Sequence, residues 1–206
     1  MANYSSGRGF GSIPPVIKNL LIINGLVFLA QYVFQGQGIY IEQWGALWSL
    51  GTGNFKVWQL ITYQFMHGGF THILFNMFTL WMFGSTLETF WGGKRFLTFY
   101  IVCGICAGIA QLIMQKEGVA VGASGAIMGL MAAFAYLFPN TEMYIMFIPI
   151  PVKAKYVIPG FMALDLFGSI APQAGDNVAH WAHLGGALAG LIIVMIWNKT
   201  NRKNFY

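Results

Sequence analysis

Six apolar runs, separated by short polar segments, dominate this chain. They cover residues 16–35, 73–91, 95–114, 122–138, 155–170 and 178–197. A transmembrane helix needs roughly 20 apolar residues, so four runs have about the full length and the fourth and fifth are short. Only 8% of the residues are charged, whereas a soluble domain is about one-quarter charged. The sequence therefore predicts an all-α, polytopic membrane protein with a bundle of six transmembrane helices.

The segments outside the bundle are short. Residues 1–15 contain a stretch rich in Gly and Ser and are expected to form a flexible cytoplasmic tail. Residues 16–198 form the predicted six-helix domain, and residues 199–206 form a short basic cytoplasmic tail. The first apolar run is too long for a signal peptide and no small-x-small cleavage site follows it, so we expect it to be retained as a helix.

Basic residues predict the orientation of the bundle, because Lys and Arg concentrate in cytoplasmic loops. With both termini inside, only Lys56 and Lys116 fall outside, and loops 36–67, 115–121 and 171–177 form the outer face. The net charge of +5 thus indicates topology and gives little support to nucleic-acid binding. The start of the chain does not resemble a transit peptide, so the expected location is a bacterial inner (plasma) membrane. The nine basic residues on the inner side are Arg8, Lys18, Lys94, Arg95, Lys153, Lys155, Lys199, Arg202 and Lys203.

Two glycine-rich segments each carry one polar residue at helix depth, where a polar side chain is costly unless it functions or pairs. Gly122 permits a turn before a helix that starts near Ser124, and Gly125 and Gly129, spaced i, i+4, leave a bare helical face. His183 precedes a second such face, formed by Gly186 and Gly190. Either segment alone favours simple helix packing. Together they predict that the two faces meet and that His183 becomes the base of a Ser–His dyad with Ser124 as nucleophile.

Hydrogen-bond donors are predicted on a third helix. His72 and Asn76 are spaced i, i+4 and share one helical face. With the backbone N–H of Ser124, they would form an oxyanion hole for acyl transfer. The alternative is a polar network that only joins helices. His67 lies in the loop or at the helix entrance and is given a supporting role.

The remaining polar residues at depth are assigned structural roles. His180 lies nearer the outer loop, where a solvated or capping role is expected. Asp165 would be a candidate third member that orients the catalytic histidine, but a hydrogen bond to a loop explains it equally well. We therefore predict a dyad, with Asp165 and Glu88 structural. Cys103 and Cys106 form C-x-x-C within an apolar run, which disfavours thiolates and favours small packing residues.

From Trp58 to Gly190 the chain resembles the rhomboid intramembrane serine proteases. The likeness rests on H-G-x-x-x-H-x-x-x-N at residues 67–76, G-A-S-G at 122–125 and A-H-x-x-G-x-x-x-G at 182–190. It implies a six-helix core in which the serine is the nucleophile and the histidine the general base and later the general acid. It also implies the oxyanion hole above and supports a dyad over a triad. The implied partners are transmembrane protein substrates and the lipid bilayer, with no metal or organic cofactor.

Two positions depart from the family pattern. Many relatives have Trp-Arg in the outer loop where this chain has Trp58-Gln59, so the loop is expected to be anchored differently. Many also have a tyrosine that stacks on the catalytic imidazole, in the place of Met128.

Two other functions are compatible with parts of the sequence. One is an inactive relative that binds membrane proteins and escorts them to degradation, although such proteins usually lack the serine or the histidine. The other is a membrane metal-binding protein or transporter that uses the four histidines, His67, His72, His180 and His183. That function would leave the glycine-flanked serine unexplained.

Overall fold

A computed structural model describes residues 13–144, 150–171 and 178–200. Helices account for most of this part of the chain, and the predicted runs coincide with its six longest helices. These are α1 (Pro15–Gln35), α4 (Phe70–Trp91), α5 (Gly93–Met114), α6 (Ser124–Leu137), α7 (Ala154–Ile170) and α8 (His180–Thr200). The shorter helices α2 (Glu42–Gly45) and α3 (Gln59–Thr62) lie between α1 and α4, with 3-10 turns at Leu50–Thr52 and Tyr63–Phe65. Most of the predicted terminal tails and of loop 171–177 lie outside the described residues.

Three of the described helices, α1, α5 and α8, are long and apolar enough to cross a membrane by length and composition. The fourth predicted run forms α6, a shorter apolar helix of 14 residues. Large apolar side chains such as Leu26, Ile113 and Leu164 are exposed on the outside of the bundle. In water such a surface would be a liability, whereas in lipid it is the expected exterior.

Helix α6 occupies the centre of the core, because every residue from Gly125 to Phe134 is buried. It packs between α4, α5, α7 and α8. Cys103 on α5 is buried against Gly129, where an added Cβ would lie 2.7 Å from its Sγ. The expected packing role of this cysteine is therefore correct.

Glu88 of α4 has a structural role, as predicted. Its two carboxylate oxygens accept hydrogen bonds from the backbone N–H groups of Val16 (3.0 Å) and Ile17 (2.8 Å). These are N–H groups of the first turn of α1, which have no partner within the helix. The bond also brings the start of α1 to the end of α4. At that same end, Arg95 lies over the ring of Trp197, 4.4 Å from its centroid.

Two small sheets connect the loops. β1 (Leu47–Trp48) pairs antiparallel with β2 (Val119–Ala120), and β3 (Glu142–Tyr144) pairs with β4 (Pro151–Lys153). The first sheet ties the loop after α1 to the segment that leads into α6. Gly122 N–H extends this tie by donating to the carbonyl of Tyr63 at 2.9 Å. The segment just before Ser124 is therefore fixed by β1 and by the carbonyl of Tyr63.

Gln59, the residue that departs from the Trp-Arg pattern, anchors the loop after α1. Its side chain is 1% exposed. Its Oε1 accepts from the N–H groups of Trp48 (3.3 Å) and Lys56 (3.1 Å), while its Nε2 donates to Asn54 O (3.3 Å). Its Nε2 also donates to Trp44 O at 3.5 Å, so one neutral amide serves four backbone groups.

We expect Gln59→Leu to lower the free energy of unfolding by about 1–3 kcal/mol, because the partly buried N–H groups of Trp48 and Lys56 lose their acceptor. Thermal or SDS-induced unfolding of the purified protein in detergent measures the change. Gln43→Leu, at an exposed position of the same loop, is the matched control. Equal unfolding midpoints for the two variants would contradict the anchoring role.

Candidate active site

Helices α4, α6 and α8 begin around one cavity of about 980 Å³. Helix starts present unpaired N–H groups and the positive end of the helix dipole. An end of the bundle at which three helices start therefore favours negative charge. The cavity is lined by Gly68, Gly69, Phe70, Thr71, His72, Phe75, Asn76, Gln111, Gln115, Gly118, Val119, Ala120, Val121, Ser124, Val178, Ala179 and His183.

Ser124 and His183 are hydrogen-bonded in this cavity. The distance between Ser124 Oγ and His183 Nε2 is 2.8 Å. Ser124 is the first residue of α6, directly after a turn at Gly122 with φ +122°. A Cβ at Gly122 would also lie 2.8 Å from His72 Nε2. Both the backbone conformation and the space therefore require glycine at this turn.

The two glycine faces meet, as predicted from their spacing. A Cβ at Gly129 would lie 3.0 Å from the carbonyl oxygen of Gly186. A Cβ at Gly186 would overlap the carbonyl of Gly125, and one at Gly190 would overlap that of Gly129. Helices α6 and α8 thus cross in direct backbone contact. This close crossing is what brings the serine and the histidine that precede the glycines together.

His72 and Asn76 direct N–H groups toward the turn before Ser124. Gly68 N–H donates to His72 Nδ1 at 3.3 Å, so a neutral ring carries its proton on Nε2. That Nε2 is the atom next to Gly122. A Cβ built at Gly122 would lie 3.5 Å from Asn76 Nδ2. This Nδ2 is buried and has no hydrogen-bond partner among the described residues. Two donors are therefore available beside the serine.

Asp165 on α7 contacts both histidines of α8. Its Oδ1 lies 2.9 Å from His183 Nδ1 and 2.7 Å from His180 Nδ1. Of the two interpretations that the sequence leaves open for Asp165, orientation of His183 or a hydrogen bond to a loop, the described contacts agree with the first. His180 is the first residue of α8, and its side chain is 15% exposed. The close approach is possible because Gly168 leaves room for the His180 ring, which a Cβ there would meet at 2.5 Å.

His67 lies buried in the loop that precedes α4. Its N–H donates to Gln31 Oε1 at 3.0 Å and its carbonyl accepts from Gln31 Nε2 at 3.1 Å, which ties the loop to α1. Its ring meets that of His72 edge-on at 5.2 Å. Neither ring nitrogen has a hydrogen-bond partner within the described ranges. Burial, and secondarily the nearby His72 ring, lowers the pKa of His67 to about 4.

The low pKa of His67 predicts that acid destabilises the fold. Between pH 6.5 and about 4 the unfolded state binds a proton that the folded state does not, so stability falls as the pH falls. We expect a loss of roughly 2–3 kcal/mol across this window. Unfolding of wild type and His67→Gln at pH 7.5 and pH 4.5 measures it. A pH dependence that is undiminished in the variant would contradict this origin.

One group of side chains in the described part of the chain has the composition of a metal site. The ligand atoms of Asp165, His180 and His183 lie within 4.8 Å of one another. Imidazole and carboxylate suit zinc and related ions. However, the nitrogen–oxygen distances of 2.7 and 2.9 Å are those of hydrogen bonds. His67 and His72 do not join the group, so the four-histidine site considered above is not formed.

Comparison with known proteins identifies the family. Residues 54–199 match the family model described as the rhomboid domain. This chain is a rhomboid family protein. The matched segment contains His67, His72, Asn76, Ser124 and His183. As a rhomboid, it is a multi-pass membrane protein with a helical bundle.

Relatives of this rhomboid occur in bacteria and in organelles. It is 40% identical over 149 residues to YdcA of Bacillus subtilis, which is named as a candidate rhomboid protease. The aligned region covers 71% of this chain and 70% of YdcA. It is 31% identical to "Rhomboid protein 1, mitochondrial" of Saccharomyces cerevisiae, over 65% of this chain and 40% of that protein. It is 29% identical to "Rhomboid-like protein 11, chloroplastic" of Arabidopsis thaliana, over 87% of this chain and 64% of that protein. The chain thus spans about half the length of these two organellar relatives.

Proposed function

We propose that this rhomboid is an intramembrane serine endopeptidase that cleaves transmembrane segments of other membrane proteins through an acyl-enzyme. The observation that carries the proposal is the 2.8 Å contact between Ser124 Oγ and His183 Nε2 beside two N–H donors in a cavity. A serine hydroxyl becomes a good nucleophile when a base removes its proton. The retained serine and histidine disfavour the inactive-relative function.

In the proposed reaction, His183 Nε2 takes the Ser124 proton as Oγ attacks the peptide carbonyl. The carbonyl oxygen becomes negative and is stabilised by His72 Nε2–H, Asn76 Nδ2–H and the backbone N–H of Ser124. His183 then gives the proton to the leaving amine. Water, activated by the same imidazole, hydrolyses the acyl-enzyme and regenerates the free serine.

The proposed membrane domain covers residues 16–198, with α1 and α4–α8 as six spans and both tails, 1–15 and 199–206, in the cytoplasm. The 14 residues of α6 extend for about 21 Å, against roughly 30 Å of hydrocarbon. If its last residue lies at the inner interface, Ser124 lies about 9 Å below the outer one. At this depth a serine that faced lipid would have no water to hydrolyse an acyl-enzyme, and the cavity is proposed to supply that water.

The substrate is proposed to approach from the lipid beside α7. The buried residues of this helix, Ala154, Val157 and Ile158, all lie in its first two turns. The later turns of α7, toward the cavity, are less buried, so this part of the helix is proposed to lie next to the arriving substrate. By analogy with the family, small residues at the cut and helix-breaking residues beyond it are expected to be favoured.

Labelling with a fluorophosphonate probe tests the proposal. The purified protein should be labelled and should cleave members of a panel of single-span membrane proteins with a chelator present. Ser124→Ala should neither be labelled nor cleave. Labelling that persists in Ser124→Ala would overturn the assignment of the nucleophile, and cleavage that the chelator abolishes would favour a metal-dependent function instead.

A further inference from the structure

We propose that Asp165 is a positioning residue for His183, so that the serine and histidine work within a Ser124–His183–Asp165 chain. The inference rests on the proposed protease function and assigns Asp165 a role in it. Asp165 Oδ1 lies 2.9 Å from His183 Nδ1, and Ser124 Oγ lies 2.8 Å from the opposite ring nitrogen. The imidazole is therefore bonded on both sides, by residues from two different helices.

The carboxylate determines which nitrogen of His183 acts as the base. A carboxylate only accepts hydrogen bonds, so His183 Nδ1 must carry a proton to satisfy the contact. In a neutral imidazole the other nitrogen, Nε2, then has a free lone pair directed at the serine hydroxyl. When Nε2 takes the serine proton, the ring becomes positive, and the adjacent negative carboxylate stabilises it. The tautomer of His183 and the stabilised charge of its protonated ring therefore both favour proton transfer from Ser124 Oγ to His183 Nε2.

His180 holds Asp165 in this position. Its Nδ1 lies 2.7 Å from the same Oδ1 that faces His183. Two donors from one face of α8 therefore converge on a single oxygen of α7, which restricts the rotation of the carboxylate. The side chains of Asp165 and His183 are only 14% and 16% exposed, so water competes weakly for these bonds.

A purely mechanical role for Asp165 is the alternative. The buried residues of α7 lie in its first two turns, so the contact with α8 also ties down the remaining turns. A tie and a positioning residue predict different results. Loss of a tie lowers stability or changes how substrate binds, whereas loss of a positioning residue slows the chemical step and changes the tautomer of His183.

The test compares Asp165→Asn and Asp165→Glu with wild type, using Ser169→Ala as the control. Ser169 lies on the same helix and donates to Leu166 O at 2.8 Å, within α7 itself. For the folded fraction recovered by size-exclusion chromatography, we expect Asp165→Asn to lower kcat by between about 10-fold and the 10⁴-fold known for the buried aspartate of soluble triads. KM should change less than twofold, Asp165→Glu should recover part of the loss, and Ser169→Ala should match wild type.

A second measurement reads the tautomer without any substrate. In protein labelled with ¹⁵N-histidine, the His183 signals are assigned by their loss in His183→Gln. We expect the proton on Nδ1 in wild type and a shift toward Nε2–H in Asp165→Asn. A wild-type ring protonated on Nε2, or an Asp165→Asn variant with unchanged kcat and unchanged tautomer, would overturn the inference. Because this readout needs no activity, it decides the role of Asp165 even if wild type cleaves nothing, a result that would overturn only the proposed protease function.

Discussion

Ser124→Ala and His183→Ala are each expected to reduce kcat for cleavage of a transmembrane substrate by about 10⁴- to 10⁶-fold. In the proposed mechanism neither residue works without the other, because the hydroxyl attacks only as the imidazole removes its proton. Side chains that act as one unit show strongly non-additive losses. The double variant should therefore be no slower than either single variant, within about threefold.

The measurement is single-turnover cleavage of a substrate reconstituted with the protein in lipid. Ser85→Ala is the matched serine control, since Ser85 lies on α4 outside the residues that line the cavity. Its rate should stay within twofold of wild type. Additive losses in the double variant would show that the two residues contribute independently, and the Ser–His mechanism would then be wrong.

The six long helices could be predicted because each corresponds to a long run of apolar residues, in which no single residue decides the assignment. The predicted ends agree with the helices to within three residues at every boundary, from Pro15–Gln35 to His180–Thr200. A run of 16 or more apolar residues leaves few alternatives for the backbone in lipid. The short fourth run was correctly located, and the turn at Gly122 explains why its helix begins only at Ser124.

The loop after α1 could not be predicted in the same way. β1 and β2 contain two residues each, so they have no periodicity from which a strand is inferred. Gln59 was recognised only as a departure from Trp-Arg. Its role depends on backbone groups of Trp48, Asn54 and Lys56 that come within reach only after the loop has folded.

Within the site, sequence spacing predicted contacts along glycine faces but not those of α7. Gly125, Gly129, Gly186 and Gly190 mark the close crossing of α6 and α8, and the hydrogen bond between Ser124 and His183 follows from that crossing. The position of Asp165 depends instead on the register of α7 against α8. Only Gly168, opposite His180, marks that register. A lone glycine near a helix end is too common a feature to reveal it.

Asn76→Ala is expected to lower kcat by about 10²- to 10³-fold, equivalent to roughly 3–4 kcal/mol of transition-state stabilisation. Its Nδ2 has no hydrogen-bond partner among the described residues and lies beside the turn that leads into Ser124. The donor is therefore free to bind an oxygen that becomes negative only during the reaction. Such a bond contributes to kcat and leaves KM nearly unchanged. Asn76→Asp should be slower still, because a carboxylate of similar shape removes the donor and repels the developing charge.

The comparison that decides this role uses steady-state kinetics of Asn76→Ala, Asn76→Asp and Asn198→Ala. Asn198 lies at the far end of α8, where its Nδ2 donates to Tyr136 Oη at 3.1 Å, and its loss should leave kcat within twofold of wild type. His72→Ala should resemble Asn76→Ala, since His72 Nε2–H faces the same turn. If Asn76→Ala instead raises KM at constant kcat, the side chain binds the substrate in its ground state. The oxyanion would then be stabilised by the remaining donors, His72 Nε2–H and the backbone N–H of Ser124, at the positive end of α6.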